Sequence, residues 1–98
     1  MYRRIVTLGG FGYTIDFVGD ESIESGCGPD HMGCCDHPSE KNPSILIDNG
    51  LEGSLRMEII LHEMLHGACP ALSEAFVRKT AREMARVLTE EGYERTKT

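Results

Sequence analysis

The sequence predicts an α+β domain in which a small, mostly antiparallel sheet packs on two helices. Short β-prone runs broken by glycines fill much of its first half, and two stretches with helical character fill the second half. The 98 residues fit a single domain, residues 1–98. A chain of this size buries a limited core, so a bound metal ion would add useful stability.

The predicted strands lie ahead of the helices. Residues 3–8 form a β-prone run, and residues 13–18 alternate apolar and polar side chains. The segment between them is rich in glycine, so a hairpin is the simplest arrangement. Ser44–Asp48 is a compact third strand. Residues 19–43 are polar and rich in Gly, Pro, Asp and Cys, and we expect them to form a long loop.

Two helices complete the predicted fold. Ser54 is expected to cap the first, which runs to about His66 and stops at Gly67. Ser73 is expected to cap the second, which continues to about Glu91. Apolar side chains at helical spacing give the second helix one stripe that faces a core.

Composition restricts the partners and the location. The net charge of −6 argues against nucleic acid as the main partner. No apolar run approaches the roughly 20 residues that span a bilayer, and the N-terminus does not resemble a signal peptide. We therefore expect a cytoplasmic protein that binds neither nucleic acid nor membrane. A basic stripe on the second predicted helix is interpreted as a solvated face: Arg78, Lys79, Arg82 and Arg86.

The candidate metal site is the stretch HEMLH at residues 62–66. His62 and His66 are four residues apart on a predicted helix, so both imidazoles project from one face and can take two corners of a tetrahedral zinc site. Glu63 is placed to accept a proton from a zinc-bound water and to pass it to the departing amine. The surrounding helix is apolar at most positions, and polar groups buried there without partners would be costly. Metal binding is therefore favoured over ordinary helix residues with satisfied hydrogen bonds.

A catalytic zinc ion usually has three protein ligands. We predict Glu74 as the third, because it stands in the first turn of the second helix, on the apolar side, and a short link would fold the two helices together. The alternative is that Glu74 only complements the helix N-terminus and pairs with Arg78. Other possible ligands are His37, Cys69 and Asp48.

The segment ILHEMLHG, followed by LSEAFVRKTAREMARVL, resembles the short HExxH proteins of phage and bacterial genomes, which in turn resemble the minigluzincins and the peptidases of the ImmA/IrrE type. The resemblance covers about residues 44–92. It implies a minimal zincin-like domain and a zinc-dependent metallopeptidase. By this resemblance, the zinc ligands would be His62, His66 and Glu74, and the general base would be Glu63.

The same resemblance implies how substrate binds. The strand Ser44–Asp48 would recruit an extended peptide by edge pairing, so that the substrate-binding residues are Ile45, Leu46 and Ile47. Zincins generally carry a helix ahead of their sheet, and none is evident here. Candidates to stabilise the oxyanion are Tyr93, Tyr13 and His37.

Cysteines crowd the predicted loop. Thiolates and imidazoles so close in sequence can bind a second, structural metal ion, although their spacing matches no common zinc finger. Without a signal peptide, free thiols are the preferred interpretation, and a disulfide formed on oxidation is the other alternative. The residues concerned are Cys27, Cys34, Cys35 and His37. Cys69, beside the first helix, is interpreted as a small buried residue.

Three functions stay open at this point. A zinc peptidase acting on a peptide or protein substrate is favoured. A non-catalytic, metal-stabilised zincin-like binding or regulatory module is the main alternative, and the intact Glu63 argues against it. A regulator acting near DNA is the weakest. The substrate, the native metal and the oligomeric state are open.

Overall fold

The computed structural model describes residues 2–93. Within that range four strands form one mixed sheet and three helices accompany it, which confirms the α+β class. In chain order the elements are β1 (Tyr2–Leu8), β2 (Phe11–Val18), α1 (Asp20–Cys27), β3 (Gly33–Cys35), β4 (Ser44–Asp48), α2 (Gly53–Ala68) and α3 (Glu74–Glu90).

The sheet has the strand order β1-β2-β4-β3. The hairpin of β1 and β2 is antiparallel, as predicted. β2 and β4 pair in parallel, and β3 pairs antiparallel with β4. This order makes β4 an interior strand and leaves β3 at one edge.

The position of β4 corrects the expected substrate strand. Ile45, Leu46 and Ile47 lie on a strand whose two backbone edges are both used, by β2 and by β3. The side chains of Ile45 and Ile47 are also fully buried in the core. Because no backbone edge remains for a peptide to pair with, the edge-pairing role predicted for these three residues is wrong.

The predicted loop 19–43 is also corrected, since it contains α1 and β3. Only one residue of α1, Ile23, is buried, so the helix carries no apolar stripe that a periodicity search detects. Its Gly26 packs against β4: an added Cβ would lie 2.6 Å from Cδ1 of Leu46. Contacts with the sheet stabilise this short helix.

The core lies between the sheet and α2. One sheet face contributes the cluster of Tyr13, Ile15, Phe17, Ile45 and Ile47. α2 packs its apolar residues onto this cluster, among them Ile59, Ile60 and Met64. α3 packs in turn on α2 and buries Val77, Ala81 and Ala85.

The helix ends match the expectations only in part. Ser73 caps α3, since its Oγ accepts a hydrogen bond from the backbone N–H of Phe76 at 3.1 Å. Ser54 lies inside α2, whose N-cap is Glu52, so the predicted cap is wrong. Gly67 is likewise within α2 and buried, because it contacts the sheet rather than ending the helix. Among residues 2–93 no helix is long and apolar enough to cross a bilayer.

Candidate metal centre

The two histidines of the HEMLH stretch converge on one point. His62 and His66 lie one turn apart on α2, and their Nε2 atoms are 3.2 Å from each other. The ring planes are inclined by 66°, so both nitrogens aim at a common position instead of stacking. Both side chains are only partly exposed. Together with Glu63 they form a group that could hold a metal ion, with one ligand atom from each residue within 4.8 Å of the others.

Glu74 reaches this pair from the neighbouring helix. Its Oε1 lies 2.9 Å from Nε2 of His66, and its Oε2 lies 3.1 Å from Nε2 of His62. These separations are close to the edge of a tetrahedron around zinc, about 3.4 Å for bonds near 2.1 Å. The short segment between α2 and α3 turns the chain back, which places Glu74 beside two histidines that lie eight and twelve residues earlier.

Arg78 holds the same carboxylate from the other side. Its Nη2 donates to Oε2 of Glu74 at 3.4 Å, one helical turn along α3. The pairing with Arg78, which is the alternative role predicted for Glu74, therefore exists alongside the contact with the histidines. Glu74 is 52% exposed, so its carboxylate meets the histidines at the protein surface.

Glu63 differs from Glu74 in being buried. It is 7% exposed and lies on the side of α2 that faces the sheet. Burial raises its pKa to about 7, and the charge of Glu74 adds to this effect. A carboxyl group with a pKa near neutrality is suited to proton transfer at physiological pH. Glu63 thus lies within the apolar layer between α2 and the sheet, whereas Glu74 lies at the surface.

The protonation of His62 also suits a metal. Burial lowers its pKa from 6.5, and this effect outweighs the opposing influence of Glu74. The neutral imidazole is therefore favoured at neutral pH, and that is the form in which histidine binds a metal ion.

The cysteine-rich segment does not form a second metal site in the described residues. Cys27 and Cys34 form a disulfide between the end of α1 and β3, so the preferred expectation of free thiols is wrong for these two. Cys35 is free, but successive side chains of a strand point to opposite faces, so its sulfur lies away from Cys34. His37 instead contacts the Oγ of Ser39 at 2.8 Å.

Cys35 lies on the sheet face that α2 covers. Its sulfur would lie 3.3 Å from a Cβ added to Gly67, one turn beyond Glu63. Burial raises the pKa of Cys35 to about 11, and the charge of Glu63 contributes, so the group remains a neutral thiol. This neighbourhood was missed by sequence reasoning, because three residues of strand inside a predicted loop carry no periodic signal.

None of the remaining candidates among the described residues belongs to the group around the two histidines. Cys69 is exposed rather than buried, which corrects that expectation. Tyr13, proposed for the oxyanion, donates its hydroxyl to the backbone carbonyl of Asp36 at 2.9 Å. Asp48 accepts from the backbone N–H of Gly50 within a turn. Tyr93 lies instead beside a pocket at the N-terminal half of α2.

No protein-family model, no curated protein and no solved structure matches this chain.

Proposed function

We propose that this protein is a zinc-dependent peptidase whose metal ligands are His62, His66 and Glu74 and whose general base is Glu63. The observation that carries the proposal is the meeting of both imidazole Nε2 atoms with the Glu74 carboxylate at 2.9–3.2 Å, next to a buried carboxyl group. Two histidines and one carboxylate leave a fourth tetrahedral position open, which distinguishes catalytic from structural zinc sites.

Each residue has a distinct part in hydrolysis. Zinc held by His62, His66 and Glu74 would supply a water of lowered pKa and would polarise the scissile carbonyl. Glu63 accepts a proton on a carboxylate oxygen and returns it to the amine nitrogen that departs. Its buried position keeps bulk water from competing for that proton. Arg78 contacts Oε2 of Glu74 and would help to orient the carboxylate toward the imidazoles.

The substrate strand is reassigned from β4 to β3. Backbone groups of Met32 and Asp36 pair with β4, so by alternation the N–H and C=O groups of Gly33 and Cys35 point away from it. No other strand within residues 2–93 pairs with that edge. β3 also packs against α2, which carries the histidines. An extended peptide that adds to β3 would thus run beside the proposed zinc ligands.

The metal assignment is tested by elemental analysis of the purified chain. We expect about one zinc ion per wild-type molecule, none in His62→Ala, and a reduced content in Glu74→Ala. His37→Ala is the matched control, because His37 is exposed and contacts only its own loop among the described residues. A wild-type protein that binds no zinc, or His62→Ala with full content, would refute the site.

Catalysis is tested separately on the zinc-loaded protein. Wild type should cleave casein, and Glu63→Gln should lose at least about a hundredfold in rate while keeping its zinc. Full zinc content without cleavage by wild type would instead favour a metal-stabilised binding module. In a series of peptides that each carry one N-methylated amide, cleavage should slow when the methyl group is at every second position, if the peptide pairs with β3. A uniform response along the peptide would exclude edge pairing.

A further inference from the structure

The outer side of α3 exposes apolar residues that the fold does not cover. Phe76 is 51% exposed, Met84 39% and Val87 58%, although all three lie on a regular helix. At about 100° per residue they fall within a quarter of the helix circumference, next to the side that packs on α2. We name these three residues the outer stripe. Its position on one long helix is typical of a surface that meets another helix.

Four exposed charges run along the outer stripe on the side away from α2: Lys79, Glu83, Arg86 and Glu90. Within residues 2–93 none of them forms an ion pair. Lys79 and Glu90 are equally far from the point between Met84 and Ala85, and so are Glu83 and Arg86. In both pairs the two members have opposite charge.

A two-fold axis through that point would exchange the members of each pair between two copies. In an antiparallel helix pair, a residue on one copy faces the residue at the same distance on the other side of the axis. Lys79 would face Glu90 of the second copy, and Glu83 would face Arg86. Each contact would occur twice. A partner of a different sequence would have no need of this internal symmetry.

We propose that two copies of this chain associate through α3 as an antiparallel helix pair, with the two-fold axis between Met84 and Ala85. Met84 of each copy then lies at the level of Ala85 of the second copy, so the Met84 and Val87 side chains of the two copies cover one another near the axis. Phe76 lies opposite the C-terminal end of the second α3, outside this central contact. The four charges are paired along one flank. The proposal does not depend on zinc binding or on peptidase activity.

The size of the surface limits the strength of this dimer. A stable interface buries about 1,200–2,000 Å² in total, and a single helix face on each copy contributes toward the low end of that range. We therefore expect a dissociation constant of about 100 µM, with the charge pairs determining orientation more than affinity.

Sedimentation equilibrium of the full chain from about 10 µM to about 1 mM covers the expected range. Wild type should pass from monomer to dimer. Lys79→Glu should raise the dissociation constant about tenfold, because two attractive contacts become repulsive. Glu90→Lys should have the same effect, and the double variant Lys79→Glu/Glu90→Lys should restore the wild-type value to within about threefold.

Lys41→Glu is the matched control, since it makes the same change of charge at an exposed position in the β3–β4 connection. It should leave the dissociation constant unchanged. The proposal is overturned if wild type stays monomeric throughout, if Lys79→Glu behaves like Lys41→Glu, or if the double variant is no better than either single one. All substituted positions are exposed, so circular dichroism should show an unchanged fold.

Discussion

Gly67 of α2 lies directly against the ring of Tyr13 in the sheet: a Cβ atom on the glycine would be 3.1 Å from Cζ of the tyrosine. The ring has little freedom to move, because it is 1% exposed and its hydroxyl is bound to the carbonyl of Asp36. Gly67 follows Glu63 by one helical turn. The absence of a side chain at this position therefore sets how closely the helix that carries the metal ligands approaches the sheet.

Gly67→Ala should destabilise the protein by about 1–2 kcal/mol, because the added methyl overpacks a rigid contact. The intrinsic helix preference of alanine, worth about 1 kcal/mol, acts in the opposite direction and is outweighed. Urea unfolding measures the difference. Gly12→Ala is the control, since a Cβ there meets nothing within 4 Å. If Gly67→Ala proves as stable as wild type, the tyrosine ring yields and the contact does not limit the packing of α2.

The disulfide should contribute measurably to the stability of the oxidised protein. Cys27 and Cys34 are seven residues apart, and closing so short a loop is worth about 2–3 kcal/mol through the unfolded state. Unfolding with and without a reductant should differ by this amount. The double variant Cys27→Ser/Cys34→Ser should match the reduced protein and no longer respond to reductant. Cys69→Ser, at an exposed free thiol, should behave as wild type. Identical unfolding of oxidised and reduced wild type would contradict this role.

Glu63 should make the metal-free protein less stable as pH rises. Its pKa is about 7 in the folded chain against an ordinary value of 4.5, so between these values the folded state holds a proton that the unfolded state has lost. Stability from this group is highest below about pH 4.5 and declines until about pH 7. The total loss is up to about 3 kcal/mol.

Comparison with Glu63→Gln isolates that effect. The variant cannot ionise, so its stability relative to wild type should increase between pH 5 and pH 8, measured by urea unfolding with a chelator present. The lowered pKa of His62 has the opposite pH dependence, but to first order it affects both proteins equally. A stability difference that is the same at both pH values would show that Glu63 is not perturbed.

The sequence was informative where periodicity or a motif spans a whole element. The hairpin, β4, α2 and α3 follow from such patterns, and the spacing of His62 and His66 follows from the helix alone. Glu74 was predicted from its place on α3, and the structure does bring it to the histidines. Its role as a ligand stays a prediction.

What the sequence did not reveal depends on tertiary contacts. α1 buries one residue and β3 spans three, so neither produces a pattern of its own. The strand order was equally hidden, because the apolar run of β4 does not reveal which strands pair with it. Without β3, β4 looked like an edge. The pairing of Cys27 with Cys34 depends on α1 ending beside β3, which no spacing rule for cysteines predicts.

Zinc should stabilise the folded protein by joining α2 to α3. A ligand that binds only the folded state adds about 2.7 kcal/mol at a hundredfold excess over its dissociation constant. Wild type, Glu63→Gln and the control His37→Ala should all gain stability when zinc is added. His62→Ala should gain none, and Glu74→Ala should gain less than wild type.

The quantity to compare is the gain on adding zinc to each variant, measured by thermal or urea unfolding. Glu74→Ala also removes the hydrogen bond to His66 and the contact with Arg78, so it lowers the stability of the metal-free protein as well. If Glu74 only links the two helices, Glu74→Ala lowers the stability of the metal-free protein, but the increase in stability on adding zinc stays at the wild-type value. If Glu74 is the third ligand, the gain itself shrinks, because the zinc ion then keeps only the two histidines of α2 and no longer connects the helices.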